Sequence, residues 1–319
     1  MNNEVRKRMS RYPFADKATE LMDAKRGCLA ETSWKVQDRR YKRMENDLML
    51  LNRQGRVSTV SPAKMTPEDV KAYILYRKDL EVGNSDLNHD ISALNQLLMF
   101  CGNPAVTVCL QKNMGLKPSV KQPRLPPLSE GAYGRILAKW DEIDQSSFAE
   151  VRPVAMVLMY IGTGARNKEL RLAEVSDLDT EEWTIRFRHV KGEGSYGQPR
   201  TVPIPEEIRP VVSQYLMLRQ VWLVCHKVSS DALFFTMGGD YSFLSGNSIR
   251  RIKKKVEALI DETFELRDCR RAFGQFYLNR GLEIENVSVL MGHESTRTTE
   301  EYYCRNSETN AIREARRKW

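Results

Sequence analysis

The sequence predicts a mainly α-helical chain with a small antiparallel β-sheet, divided into a helical first domain and a larger α-rich second domain. Three observations lead there. Apolar residues recur at helical spacing through most of the chain. The segment Asn113 to Pro127 interrupts them with four prolines and no apolar period. Only Trp183 to Val190 alternates in the manner of a strand, with Thr201–Ile204 as its partner and a glycine-rich turn, Gly192 to Gly197, between them. At 319 residues and 41% hydrophobic content, the chain is long enough for two packed cores and is neither disordered nor fibrous.

In chain order, residues 1–14 read as a basic arm, 15–112 as the helical domain, 113–127 as an extended linker and 128–319 as the second domain. Trp34, Tyr41, Met44, Leu48 and Leu51 form one buried helix face, while Lys35, Arg39, Lys42 and Arg43 form a basic stripe on another. That stripe is either a nucleic-acid contact or a solvated face. Thr66-Pro67-Glu68-Asp69 is a helix start: a capping hydroxyl, proline at the first position, then acids at the positive end of the helix dipole. A further helix from Asp86 stops at Gly102-Asn103-Pro104, and Ser129 caps the first helix of the second domain. An apolar helix spans Val151 to Gly162, and the chain beyond Glu206 is mostly helical.

The uncharged run Ile91 to Gln111 has the length of a membrane span, but Gly102-Asn103-Pro104 breaks it and Asn95, Gln96 and Gln111 dilute it. No apolar core follows Arg6-Lys7-Arg8, so no secretory signal is expected, and the chain reads as soluble and intracellular. Six scattered cysteines without a C-x-x-C pair, and four separated histidines, point to free thiols rather than a disulfide framework or structural zinc. The net charge of +8 is uneven: Met1 to Pro126 holds 22 Lys and Arg against 14 Asp and Glu, whereas the remainder is balanced. A basic first third points to a polyanionic partner, DNA or RNA by default.

Four places in the second domain carry chemistry. They are Thr163-Gly-Ala-Arg166-Asn-Lys-Glu169-Leu170, Lys191 at the tip of the expected hairpin, Leu266-Arg267-Asp-Cys-Arg270-Arg271-Ala-Phe273, and Leu290-Met-Gly-His293 with Tyr302 nine residues further on. Their order and spacing resemble the catalytic domain of the tyrosine recombinases, the phage integrase family. Its pattern is an arginine in T-G-x-R-x-x-E-L, a hairpin lysine, H-x-L-R-H-x-F, then L-G-H and a tyrosine nine residues later. The resemblance covers about residues 128–319, and the helical first domain corresponds to the family's core-binding domain.

The resemblance implies a catalytic set of Arg166, Lys191, Arg267, Arg270, His293 and Tyr302, with Glu169 in support. The chemistry agrees. Attack on a phosphodiester builds negative charge at phosphorus, which planar guanidinium forks such as those of Arg166 and Arg270 stabilise. A tyrosine hydroxyl with an ordinary pKa near 10 needs cations to become a nucleophile. Tyr302 would form a 3′-phosphotyrosyl link and release a 5′-hydroxyl, which Lys191 would protonate as general acid. Conserving the bond energy in that link removes any need for ATP, and no metal or cofactor is implied. Glu169, one turn after Arg166, would hold the arginine in place. Bland readings stand beside these: a solvated hairpin lysine at 191, a helix-capping role for His293 (otherwise a phosphate donor), and Tyr303 as rival nucleophile about 100° round the helix. The run Arg250 to Lys255 is either a DNA-backbone contact or a solvated face.

One position departs from the family. Arg267 stands where histidine is usual, and a permanently protonated arginine cannot accept the tyrosine proton. It can still donate to the phosphate, leaving proton removal to water, to His293 or to no protein group. Arg271 likewise occupies the place of a second common histidine, and Cys269 that of a leucine. The resemblance further implies a C-shaped clamp on double-stranded DNA, a homotetramer on two recombination sites joined through a Holliday junction, room for accessory DNA-bending proteins, and a cytoplasmic place with nucleoid, viral or plasmid DNA. A C-terminal helix with Ala311, Ile312, Ala315 and Trp319 on one side would dock on a neighbour or close its own domain. The alternatives are a type IB topoisomerase, or a DNA-binding regulator that has lost catalysis.

Overall fold

The structure is a computed structural model; it describes residues 13–120, 125–190, 192–193 and 197–302, together with 312, 315 and 316. The chain divides into two compact units, 1–122 and 123–319, and the division falls within the proline-rich segment.

The first unit is entirely helical among the described residues: α1 (Pro13–Ala24), α2 (Glu31–Arg53), α3 (Pro67–Asp79), α4 (Asn84–Phe100) and α5 (Ala105–Lys112). Residues 1–12 of the expected basic arm lie outside the described residues. Its last two positions already belong to α1, because Pro13 suits a helix start and the Phe14 ring is buried in the core. In α2, Tyr41, Met44, Leu48 and Leu51 are buried as their spacing predicts, while Trp34 is half-buried and donates its indole N–H to the Met22 carbonyl at 3.2 Å. Thr66 and Asp69 cap α3 reciprocally, side chain to backbone, at 3.2 and 2.9 Å. The start of the linker corrects the sequence reading: Met114–Leu116 forms a 3₁₀ turn rather than extended chain, since Leu116 packs into this unit's core. Lys78 and Asn84 then fasten the segment through the carbonyls of Gly115 and Ser119.

A charged node sits inside this helical unit. Asp90 on α4 is fully buried, and accepts hydrogen bonds from Arg40 at 2.6 Å, from Arg77 at 3.1 Å and from Arg43. Asp47 pairs with the other side of Arg77 at 3.3 Å.

In the second unit, α7 (Phe148–Thr163) is the spine. Every residue from Val151 to Thr163 is buried, so this helix is covered on all sides. Around it lie α6 (Glu130–Trp140), α8 (Asn167–Arg171), α9 (Arg209–His226), α10 (Gly246–Ile260) and α11 (Leu266–Asn279), followed by α12 (Ile284–Met291) and α13 (Thr296–Tyr302). Ser129 caps α6 by accepting from the Ala132 N–H at 3.0 Å. The sheet has the antiparallel order β1 (Leu178–Asp179), β2 (Thr184–Phe187), β3 (Arg200–Pro203), with Ile185 opposite Val202 and Phe187 opposite Arg200. The strand expected over 183–190 is shorter because Trp183 takes φ +51°, and β1 is too short to show an alternating pattern. In the basic run of α10, Lys253 is buried on the inner face, bonded to Glu257 at 2.7 Å and to the Phe264 carbonyl, which removes it from any solvated or DNA-facing set. Of the C-terminal tail, Ile312, Ala315 and Arg316 are helical and exposed; the rest of that expected helix lies outside the described residues.

The uncharged run Ile91 to Gln111 lies in α4 and α5, separated by the Gly102-Asn103-Pro104 turn, and no described helix is long and apolar enough to cross a membrane. Replacing Asp90 with alanine would take from Arg40, Arg43 and Arg77 the buried carboxylate they share, leaving Arg77 with Asp47. Breaking a buried ion pair from one side costs about 3–5 kcal/mol, so Asp90→Ala should lower the urea midpoint by a corresponding amount.

Candidate active site

The site is built where two helices end. The last carbonyls of a helix have no partner within it and carry the negative end of its dipole. At the end of α7, Gly164 takes φ +59°, and its carbonyl accepts from Arg270 at 2.5 Å and from Arg200 at 3.5 Å. At the end of α12, the Leu290 carbonyl accepts from Arg200, that of Met291 from Arg270, and that of Gly292 from Arg166 at 3.0 Å. Each arginine is thus held by main-chain oxygens.

Both glycines are required by close approach as well as by backbone angle. A Cβ on Gly164 would fall 2.5 Å from the Phe273 ring, and one on Gly292, at φ +64°, would fall 2.8 Å from Arg200 Cδ.

One carboxylate bonds two of the three arginines and feels the charge of the third. Glu169 is buried on α8; its Oε1 accepts from Arg166 NH1 at 2.7 Å, and its Oε2 accepts from the Arg166 backbone N–H at 2.7 Å and Arg200 NH2 at 2.8 Å. Burial alone would raise the Glu169 pKa; the charges of Arg200, Arg270 and Arg166 outweigh it and hold the carboxyl below its usual range. Three guanidinium groups around a single carboxylate leave the cluster with excess positive charge. Arg166 remains partly exposed, at 27% of its side chain, whereas Arg270 and Arg200 are buried.

His293 closes the cluster. Its Nε2 lies 3.0 Å from Arg270 NH2, and its Nδ1 lies 2.8 Å from Oγ1 of the fully buried Thr299 on α13. A guanidinium can only donate, so Nε2 accepts and the ring proton sits on Nδ1, donated to Thr299. Burial, then the charges of Arg270, Arg166 and Arg200, push the His293 pKa down to about 3. The histidine is therefore neutral and a weak base. The sequence reading made it a phosphate donor; in this geometry it is an acceptor toward Arg270 and a strut to α13.

The structure brings Arg166, Glu169, Arg270 and His293 together from α7–α8, α11 and the turn after α12. Tyr302 is the last residue of α13, the helix that carries Thr299. Lys191 lies outside the described residues. Arg267 is exposed on the first turn of α11 and makes no hydrogen bond or ion pair among the described residues, while Arg271 bonds to the Pro126 carbonyl and Asp268. Sequence reasoning missed Arg200 and Thr299. For Arg200 a signal existed: it shares strand parity with the inward-facing Val202, which places an arginine on a buried face. Thr299 offered none beyond its place near Tyr302.

Comparison with known proteins identifies the family and the fold. The phage integrase family model matches residues 128–309, and the chain belongs to that family. It is similar to the tyrosine recombinase XerD of Oceanobacillus iheyensis, 25% identical over 266 residues covering 82% of this chain and 85% of the relative. It is also similar to XerC of Thermodesulfovibrio yellowstonii, 27% identical over 160 residues, a match spanning about half of either protein, 50% of this chain and 52% of that one. In fold it resembles the XerH site-specific recombinase bound to palindromic difH substrate, with a TM-score of 0.68, 15% identity, and coverage of 94% of this chain and 83% of the other. The named relatives are recombinases, so the topoisomerase and regulator alternatives are not favoured.

Because the folded-state pKa of His293 lies below its ordinary value near 6.5, the unfolded chain binds an extra proton between about pH 6.5 and 3. That share of stability is full above pH 6.5 and falls as the pH is lowered through this window. The His293→Gln variant should flatten the decline below about pH 6.5, as read by urea denaturation of both proteins at stepped pH; an unchanged slope would refute the assignment.

Proposed function

We propose that this chain, a tyrosine-type site-specific DNA recombinase, cleaves and rejoins DNA strands through Tyr302 and a 3′-phosphotyrosyl intermediate. The observation that carries the reading is the cluster of three arginines around one carboxylate, held in place by helix-end carbonyls and opening to solvent at Arg166. A buried excess of positive charge is costly unless an anion completes it. A phosphodiester in its five-coordinate transition state is such an anion, and guanidinium forks fixed beforehand stabilise it without reorganising.

In this scheme the phosphate sits against Arg166 and Arg270. Tyr302 Oη attacks phosphorus, the P–O5′ bond breaks, and Lys191 protonates the departing 5′-oxygen. His293 holds Arg270 and, through Thr299, the helix bearing Tyr302. A histidine with a pKa of about 3 is a poor acceptor for the tyrosine proton, which goes to water. Arg267, where the family commonly has histidine, donates to the phosphate and favours the phenolate by its charge. The Arg267→His variant should keep activity and gain a pH dependence between about pH 5 and 8 that the parent lacks; inactivity at every pH would rule out such a role for position 267.

Double-stranded DNA is the partner. The family resemblance supports a homotetramer on two sites that passes through a Holliday junction, with accessory DNA-bending proteins as optional helpers. Exposed Lys35, Arg39 and Lys42 on α2 provide phosphate contacts. Lys35 and Lys42 are engaged only by surface ion pairs with Glu31 and Asp38, which exchange readily for phosphate oxygens. Arg43 instead turns to the buried Asp90. Arg39→Ala should reduce the salt dependence of DNA binding by a slope of about 1 in log K against log salt.

The deciding experiment is covalent trapping. Protein and its Tyr302→Phe variant are incubated with fragmented DNA from the source replicon, denatured in detergent, and the protein-linked fragments sequenced. An adduct that requires Tyr302 and maps to one short inverted repeat is the expected result. Binding by both proteins with no adduct from either would overturn the catalytic reading.

A further inference from the structure

We infer that Arg200 is a positioning residue for strand cleavage: from the buried face of β3 it fixes Glu169, and through Glu169 the reactive arginine Arg166, without itself touching DNA. The inference rests on the recombinase reading above.

Arg200 lies at the root of the β2–β3 hairpin, opposite Phe187 in the register, with its guanidinium 4.9 Å from the centre of the Phe187 ring. It is buried, and its guanidinium lies between that ring, Glu169 and the helix-end carbonyls, away from the opening to solvent at Arg166. Among the described residues, its hydrogen bonds run to Glu169 and to the helix ends that hold the arginine cluster. NH2 donates to Glu169 Oε2 at 2.8 Å and to the Gly164 carbonyl at 3.5 Å, and NH1 donates to the Leu290 carbonyl. One side chain therefore joins the hairpin root, the α7–α8 turn that carries Arg166, and the end of α12 that leads to His293.

One feature sets it apart from the core arginines Arg152 and Arg219, whose buried Nε atoms lack a hydrogen-bond partner among the described residues just as its own does: the backbone has been cleared for it, since a Cβ on Gly292 would fall 2.8 Å from Arg200 Cδ.

The consequence for chemistry follows from the sharing of Glu169. Its Oε2 receives both Arg200 NH2 and the Arg166 backbone N–H, while Oε1 receives the Arg166 side chain. With Arg200 in place the carboxylate has one orientation, and so has the Arg166 fork, which matters because loss of alignment of a charged donor reduces transition-state stabilisation far more than ground-state binding. Removing Arg200 would free Glu169 to swing with Arg166. The same contact ties the hairpin that bears Lys191 to the phosphate site.

The test is a double-mutant cycle on full-length protein, read by Tyr302-dependent covalent adduct on fragmented DNA from the source replicon, with DNA binding and thermal unfolding measured alongside. The proteins are the parent, Arg200→Met, Arg200→Lys, Arg166→Lys and the Arg166→Lys/Arg200→Met pair. Arg200→Met should slow adduct formation about tenfold or more while DNA affinity stays within about twofold. Arg200→Lys, which keeps the charge and can still reach Glu169, should recover part of the rate. The Arg200→Met effect should shrink toward nothing in the Arg166→Lys background, since Arg200 acts through Arg166. A rate equal to the parent in both single variants, or a loss that multiplies unchanged in the double variant, overturns the inference and leaves the recombinase reading intact. If Arg200→Met fails to fold, Arg200→Lys decides by the same cycle with Arg166→Lys. If the parent itself binds DNA and forms no adduct, the recombinase reading falls and the inference with it.

Discussion

The second unit depends on a pairing of opposite ends: carbonyls that two helices cannot satisfy for themselves, and guanidinium groups that would be ruinous to bury alone. The ends of α7 and α12 supply the oxygens of Gly164, Leu290, Met291 and Gly292, and Arg166, Arg200 and Arg270 supply the protons. Each charge-assisted contact of this kind is worth about 1.5–3 kcal/mol, which offsets desolvation without neutralising the cations. Carboxylates in place of those carbonyls would hold the arginines equally well and cancel the charge needed for a phosphate. Among the described residues Glu169 alone does so, and it is buried.

This arrangement accounts for the state of His293. A histidine beside unneutralised arginines loses its proton, and a neutral ring can accept from Arg270 while donating to Thr299. A phenol brought into the same field would be favoured as the phenolate, so in the proposed reaction the electrostatics that remove His293 as a base would also reduce the need for one. An arginine at position 267 is compatible with such a site because activation by field does not require a titrating neighbour.

Much of this was legible in the sequence, and the division has physical causes. Arg166, Arg270 and His293 stand beside glycines or within short ordered motifs, and main-chain geometry at Gly164 and Gly292 leaves a mark on residue choice. The helices of both units, the Thr66 and Ser129 caps and the β2–β3 pair were visible as period and punctuation. Arg200 was hidden because a charged residue in a strand reads as outward-facing, and only the parity with Val202 argues otherwise. The roles of the carbonyls were invisible in principle, since every residue has one. The helix start at Pro13 and the turn at Met114–Leu116 escaped notice because each is fixed by a single buried side chain, Phe14 or Leu116, too few to establish a period.

Holding the cations with main-chain oxygens also shapes how this protein can vary. A position that serves the chemistry through its carbonyl leaves its side chain to other work: Leu290 gives its carbonyl to Arg200 while its side chain packs against the core, and Val289 beside it is 71% exposed. The constraint is concentrated instead on residues with little or nothing to mutate, the two glycines, and on the few that read the backbone, the arginines and Glu169. The exposed surface of α12 can therefore take other side chains while the geometry at its end stays fixed by the backbone.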